Sequence, residues 1–242
     1  MGQGPGVPDR RSLSPAERAA RRERVRRRAA ERAGSGVIEL GPPGHRYRIH
    51  DPGGGGRVAK ILRTGTPYEA GVLADMAALG AVGTAVDVGA NIGNHSLWMA
   101  VVCRLRVEAF EPAPVNLERL YANVTLNDLQ GRVAVHPAAL ASASSVATPL
   151  DKGRLRVGVG EVPVRTLDSY GLTDVSLLKI DVEGMEAEVI RGGLDTIARD
   201  RPTIYAEAWD DDYRAKVGAL LQPLGYRLGR RLKWHQQRWD PQ

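Results

Sequence analysis

The chain has 242 residues, is 43% hydrophobic and carries one cysteine, Cys103; it can bury one sizeable core but holds neither an intramolecular disulfide nor a cysteine-rich zinc site. Its formal charge is +6, from 34 basic and 28 acidic residues, yet residues 1–33 alone hold ten arginines against Asp9, Glu17, Glu23 and Glu31, so residues 34–242 balance at 24 of each sign. Attraction to a polyanion is therefore a property of the tail, not of the body, and with no apolar run of about eighteen residues the chain reads as soluble and cytoplasmic.

Residues 1–35 form a basic extension. Within it Ser14-Pro15-Ala16-Glu17 has the form of a helix start, with Ser14 as cap and Glu17 completing a capping box, and predicts a helix to about Arg32. Its faces are arginine and alanine, with little apolar surface to dock, so it reads as a solvated appendage or an arm for an acidic partner. Residues 36–84 are a lead-in: Arg46–Ile49 and Val58–Leu62 flank Pro52–Gly56 and read as two short strands joined by a flexible turn, and Tyr68–Leu79 has helical spacing. Residues 85–242 then alternate strand and helix as a parallel sheet with crossovers requires. Strands are predicted at Ala85–Val88, Val107–Phe110, Val133–His136, Ser176–Ile180 and Thr203–Glu207, and helices at Ile92–Val102, Pro114–Asn127, Met185–Ala198 and Asp210–Leu221. Residues 142–167, rich in Ser, Gly, Pro and Val, interrupt the pattern as a β-hairpin insertion. Tyr226–Leu228 and Lys233–Arg238 close the sheet as a hairpin.

The chemistry is concentrated in Val86-Asp87-Val88-Gly89-Ala90-Asn91-Ile92-Gly93-Asn94-His95-Ser96, an apolar run ending in a glycine-bearing turn. Its spacing is Asp-x-Gly-x-x-x-Gly, with an acid where a dinucleotide fingerprint has its first glycine. Gly89 and Gly93 allow close approach of the backbone to a ligand, and Asn91 and Asn94 offer amides. In an open α/β sheet ligands sit beyond the carboxyl ends of the strands, where Asp87, Glu111, Asp181 and Glu207 fall. Four carboxylates there suit a cationic cofactor with a ribose and an amino group, and would repel a pyrophosphate. This favours S-adenosylmethionine over NAD. Glu111, 24 positions after Asp87, would accept two ribose hydroxyls, and Pro112 would pack on the adenine.

His95, in the first turn of its helix, is suited to drawing a proton from an alcohol near neutral pH. Alternation along the strand places Asp181 and Glu183 on one side. Asp210-Asp211-Asp212 reads as a helix cap, with a magnesium site alongside Asp181 as the alternative. Tyr68, Trp98, Trp209, Trp234 and Trp239 are candidates to wall a pocket.

Together, the loop from Val86 to His95, Ala109-Phe110-Glu111-Pro112 and Leu178-Lys179-Ile180-Asp181-Val182-Glu183-Gly184 resemble the FkbM family of S-adenosylmethionine-dependent methyltransferases. The resemblance covers about residues 60–210 and extends to Tyr68-Glu69 and Thr166-Leu167-Asp168. It implies a Rossmann-like class I methyltransferase fold, a mostly parallel seven-stranded sheet with helices on both faces. It also implies methylation of a hydroxyl oxygen on a small molecule or saccharide. The cofactor residues it implies are Glu69, Asp87, Gly89, Ala90, Asn91, Gly93, Asn94, Glu111, Pro112, Ala139 and Asp181; Asp181, Glu183, His95 and Glu207 are the candidates for catalysis, with no metal. Two other readings stand beside it: an RNA methyltransferase using the arginine tail as an electrostatic arm, and a catalytically silent binding module on the same fold.

Overall fold

The computed structural model describes residues 36–149, 155–158, 160–232 and 235–242. The helix expected over Ser14–Arg32 lies outside them. Among the described residues no helix is long and apolar enough to cross a membrane.

Continuous runs of apolar, often β-branched residues fit strands covered on both faces, and here they form the middle of the molecule. β3 (Thr84–Val88) is buried along its whole length, as is most of β10 (Val175–Ile180). They are the central strands of a seven-stranded sheet, completed by β4 (Arg106–Phe110), β5 (Val133–His136), β11 (Thr203–Glu207), β12 (Tyr226–Arg231) and β13 (Gln236–Pro241), in the order β12-β13-β11-β10-β3-β4-β5. The four inner pairings from β5 to β11 are parallel, and β13 runs antiparallel to both β11 and β12. This is the expected Rossmann-like architecture. After β3 the chain moves outward through β4 and β5, then returns to β10 on the other side of β3, so the strand order reverses between β3 and β10.

Alternation along the strands divides the core in two. Ala85, Val107, Leu177 and Tyr205 face the helices Ala70–Ala78 and Asn94–Val101, through Leu73, Met76 and Leu97. Val86, Val88, Leu178, Ile180 and Ile204 face the helices Glu186–Arg191, Leu194–Asp200 and Asp211–Leu221, through Val189, Ile190, Ile197, Val217 and Leu221. The lead-in joins the first core with Leu40, Tyr47, Ile49 and Leu62, each at most 1% exposed.

Four sequence expectations change. The strand pair across the glycine turn does not form: Tyr47–His50 (β2) pairs antiparallel with Val37–Leu40 (β1), and Arg57–Leu62 is a helix burying Ala59 and Leu62. A six-residue segment with buried positions three apart fits a helix face, and a short apolar run alone does not distinguish the two. The insertion is more than a hairpin. β7 (Ser145–Pro149) pairs antiparallel with β8 (Leu155–Val157) and β9 (Val162–Arg165), and β9 lies parallel to β6 (Ala139–Leu140), giving a second sheet of four strands. The single helix over Met185–Ala198 breaks at Gly192-Gly193 into Glu186–Arg191 and Leu194–Asp200. There the Asp168 carboxylate accepts the amides of Thr196 at 2.9 Å and Asp195 at 3.2 Å, capping the second helix from a distant segment. Finally, the last strand starts at Gln236, not Lys233, and Lys233 and Trp234 lie outside the described residues.

One polar cluster ties the lead-in to the sheet. Tyr205 donates its hydroxyl hydrogen to Asp75 Oδ2 at 2.7 Å, and Arg238 Nη1 reaches the same oxygen at 3.2 Å. Burial, then the Asp75 carboxylate beside it, holds the Tyr205 phenol far above its ordinary pKa, so it stays a donor. Tyr205→Phe leaves a buried acceptor short of one partner and is expected to cost about 1–3 kcal/mol. Urea unfolding with an unchanged denaturant slope checks this, and an unchanged midpoint contradicts it.

Candidate active site

The site is built on the turn that leaves β3. Gly89 has φ +81°, and a Cβ there would lie 1.9 Å from the carbonyl oxygen of Asp181. Only glycine lets the ends of β3 and β10 close in this way. The amides of Gly89 and Ala90 both donate to the Phe110 carbonyl at 3.0 Å, and the Asp181 amide donates to Val88 at 3.0 Å. The turn is thereby fastened to both neighbouring strands. Asn91 is left-handed (φ 52°), and its amide donates to Glu111 Oε2 at 2.9 Å while Ala113 donates to Oε1 at 2.7 Å. Burial raises the Glu111 pKa above the ordinary carboxylate value, and the Ala113 and Asn91 amides oppose that rise.

Gly93 (φ 96°) starts the helix Asn94–Val101. The Asn94 side chain brackets Tyr68, accepting its amide at 3.1 Å and donating to its carbonyl at 2.9 Å. That contact holds the lead-in against the loop and delivers Glu69, itself left-handed at φ 57°. Glu69 Oε2 lies 3.2 Å from His95 Nε2, and both side chains are buried.

Beneath the turn lies Lys179, 2% exposed. Its Nζ donates to the Gly89 carbonyl at 3.1 Å and stands 3.2 Å from Asp87 Oδ1 and 3.5 Å from Asp181 Oδ2. Burial alone would lower its pKa, but Asp87, Asp181 and Glu69 outweigh that and hold it above the ordinary lysine value. Asp87 accepts a further hydrogen bond from Ser96 Oγ at 2.6 Å.

Above the turn, at the carboxyl ends of β3, β4, β10 and β11, opens a cavity of about 510 Å³. It sits where the strand order reverses, the place at which such sheets bind ligands. Most of the residues expected at the site border it: Glu69, Gly89, Ala90, Asn91, Asn94, His95, Glu111, Pro112, Ala139, Asp181, Glu183 and Glu207. Two do not. Gly93 is set back against Leu120. Asp87 is turned inward, because it is the register neighbour of Lys179 on the adjacent strand and neighbours across a parallel pair share a face. Of the aromatics, Tyr68 and Trp209 border the cavity, whereas Trp98 and Trp239 are 8% and 2% exposed within the core. Asp210 caps its helix through the Tyr213 amide at 2.9 Å, and Asp211 pairs with Arg214.

Glu207 is the least compensated group on the wall. It is 8% exposed, and its Oε2 has no hydrogen-bond partner among the described residues. Burial first, then Asp181, Glu183, Glu186 and Glu69, pushes its pKa up to about 8. Glu186 is the support for the acidic turn: fully buried, it accepts the amides of Val182 and Gly184 at 3.2 Å each.

Sequence reasoning missed Lys179 and Glu186 as parts of this site. For Lys179 a signal existed: one cation inside Val-Ser-Leu-Leu-Lys-Ile, in a central parallel strand, needs a buried anion. For Glu186 there was none, since an acid in the first turn of a helix is ordinary.

Residues 87–228 match the family model described as the methyltransferase FkbM domain. The chain belongs to the FkbM methyltransferase family. It is 29% identical over 196 residues to the methyltransferase sdnD of Sordaria araneosa, a match spanning 62% of this chain and 76% of that protein. Among solved structures it resembles the methyltransferase FkbM from Methylobacillus flagellatus KT, with a TM-score of 0.52 and 23% identity over 64% of this chain. The match covers 42% of that longer protein, so the likeness concerns the fold. In this FkbM methyltransferase the family match begins at Asp87, so the lead-in that supplies Glu69 lies outside it.

Two outcomes follow from these electrostatics. Lys179→Met strands Asp87 in the interior without its counter-charge and is expected to cost about 3–5 kcal/mol, read by chemical denaturation; a loss below 1 kcal/mol contradicts the pairing. For Glu207 the folded pKa lies above the ordinary value of 4.5, so its contribution to stability is fully present below that pH and is lost as pH rises through about 8. Glu207→Gln should therefore gain stability relative to wild type across this window, by at most about 1.4 kcal/mol per pH unit. Parallel pH–stability curves would contradict it.

Proposed function

We propose that this methyltransferase takes its methyl group from S-adenosylmethionine and transfers it to a hydroxyl oxygen of a small molecule or saccharide. The observation that carries the reading is the cavity wall, which among the described residues presents five carboxyl groups, those of Glu69, Glu111, Asp181, Glu183 and Glu207, against one lysine. Such a wall attracts a sulfonium and an ammonium and repels a pyrophosphate or a phosphate backbone.

The residues present fit the donor. Glu111 borders the cavity at the end of β4 with its carboxylate braced by two loop amides, and Gly89, Ala90 and Asn91 bring the turn itself to the same cavity. In this reading Glu111 takes the ribose hydroxyls, Ala90 and Asn91 approach through the backbone, Pro112 and Ala139 flank the adenine, and Asp181 and Glu69 face the amino group. Asp87 acts from below, by holding Lys179 against the Gly89 carbonyl. When bound, S-adenosylmethionine supplies an activated methyl group on a good leaving group.

The chain's own contribution is then mostly positioning, which is worth roughly 7–11 kcal/mol when the reacting atoms are well oriented. Asp181 and Glu183 orient the acceptor hydroxyl. His95 borders the cavity with its Nε2 3.2 Å from Glu69 Oε2 and is the candidate to receive that proton. The single cysteine accords with a reducing, cytoplasmic setting.

Titration calorimetry of the full chain is expected to show binding of S-adenosylmethionine and S-adenosylhomocysteine. Glu111→Gln should weaken both by about ten- to a hundredfold, the loss of a hydrogen bond to a charged acceptor. Absence of heat with either ligand overturns the cofactor assignment. A labelled product methylated on nitrogen or carbon overturns the hydroxyl assignment.

A further inference from the structure

With its ribose at Glu111 and its amino group at Asp181, the donor spans the strand ends from β4 to β10. The cavity continues one strand further, to Glu207 and Trp209 at the end of β11. β11 lies three strands from β4 in the sheet, roughly 14 Å at about 4.8 Å per strand. The end of β11 is therefore the part of the wall that the donor leaves to the acceptor.

Trp209 makes a platform there. Trp98 and Trp239 are buried in the core, but Trp209 is 51% exposed. Its ring stacks on His235, with centroids 4.9 Å apart and planes 24° from parallel, which covers one indole face and leaves the other open. Backbone pairing sets its place: the Ala208 amide donates to the His235 carbonyl at 2.9 Å, one step beyond the Glu207–Gln236 pair that joins β11 to β13. Two residues before Trp209, Glu207 borders the same cavity. Burial, then Asp181 and the glutamates around it, pushes its pKa up to about 8, so near neutral pH the group is mostly the uncharged acid. An uncharged carboxyl both donates and accepts hydrogen bonds.

The two neighbours ask different things of one ligand. An open indole face takes an apolar ring face. A neutral carboxyl is matched by a hydroxyl, which also donates and accepts, whereas an ammonium can only donate. A saturated polyol ring combines the two, with C–H bonds across its face and hydroxyls around its edge.

We propose that Trp209, backed by His235, is the acceptor platform, and that the acceptor is an uncharged saturated ring with at least two hydroxyls, of the pyranose or cyclitol type. Its face rests on the indole, one hydroxyl pairs with Glu207 and another is methylated. The oxygen of that second hydroxyl bonds the methyl carbon as the carbon–sulfur bond breaks. The electron pair stays on sulfur, giving S-adenosylhomocysteine, and the hydroxyl proton passes to a base, His95 in the reading above. This rests on the hydroxyl-methylation reading and narrows it.

The test uses the full chain, labelled-methyl S-adenosylmethionine and a small-molecule extract of the organism that encodes it. Labelled product is run by electrophoresis in acid and in alkali, then hydrolysed, reduced and acetylated. The proposal expects label that is neutral in both buffers and ends in a partially methylated alditol or cyclitol acetate. Any other methyl ether, whether ionic, aromatic or acyclic, overturns the proposal and leaves hydroxyl methylation standing; label on nitrogen or carbon overturns both. No labelled product, with S-adenosylhomocysteine binding intact by calorimetry, overturns small-molecule methylation and this inference with it. With the acceptor purified, Trp209→Ala is expected to raise its KM about tenfold or more, while the Kd for S-adenosylhomocysteine stays within about twofold. Glu207→Leu should raise KM by about tenfold as well. Glu207→Gln, whose amide also donates and accepts, should keep KM within about threefold of wild type. An unchanged KM in Trp209→Ala or in Glu207→Leu overturns the subsite, and a Glu207→Gln variant as impaired as Glu207→Leu overturns the hydroxyl pairing.

Discussion

A lysine ammonium inside a parallel sheet is the constraint on which the rest of this site depends. Lys179 sits on the central strand, 2% exposed, and a charge taken that far from water survives only with counter-charges and hydrogen bonds at hand. Asp87 on β3 and Asp181 at the end of β10 supply the charge, and the Gly89 carbonyl supplies an acceptor. The three belong to the two strands flanking the reversal of strand order and to the turn between them. Satisfying one cation therefore fixes the relative position of all three. Such a group contributes less to net stability than its Coulomb energy suggests, because desolvation takes most of it back. What it secures is a single geometry for the turn, since any other leaves an ion without its partner.

The same constraint separates what the sequence made legible from what it hid. Runs such as Thr84–Val88 and Val175–Ile180 are apolar and partly β-branched, and a two-face-buried strand is the structure that fits them. Glu111 was legible because an acid one strand further on, at the carboxyl end, has a place only at the ligand edge. Asp87 shows the limit. Its position in the chain was read correctly, but its direction depends on which residue lies beside it in the adjacent strand, and that register with Lys179 is a long-range fact. The strand expected at Val58–Leu62 gives way to a helix for a related reason: a short, mostly apolar segment takes the form its surroundings allow, and here Ala59 and Leu62 are buried as one helix face.

A further asymmetry concerns how the parts of the cavity wall are held. One part is made by the ends of β3, β4 and β10, whose places are set by parallel ladders and by backbone bonds from Gly89, Ala90 and Asp181. A change there disturbs several strands at once. Glu69 arrives on the lead-in through one bracket between Asn94 and Tyr68, and Trp209 leaves the end of β11 supported by its stack on His235. These groups lie beyond the ladder.

That division matters for chemistry as well as stability. Transfer of a methyl group between two bound molecules requires both to be held in line, and the wall must also select which acceptor it admits. A turn locked by a buried ion pair meets the first requirement, because its dihedrals cannot relax without stranding Lys179 or Asp87. A rim of separately supported side chains meets the second, because a side chain such as Trp209 alters what fits without moving the loop. Glu207 stands at the boundary: its carboxyl is on a rigid strand end, yet its Oε2 has no hydrogen-bond partner among the described residues. In a site that must bind an acceptor and release its product, a polar atom left for the ligand to satisfy is more useful than one already satisfied, since it makes binding depend on the chemistry of the ligand.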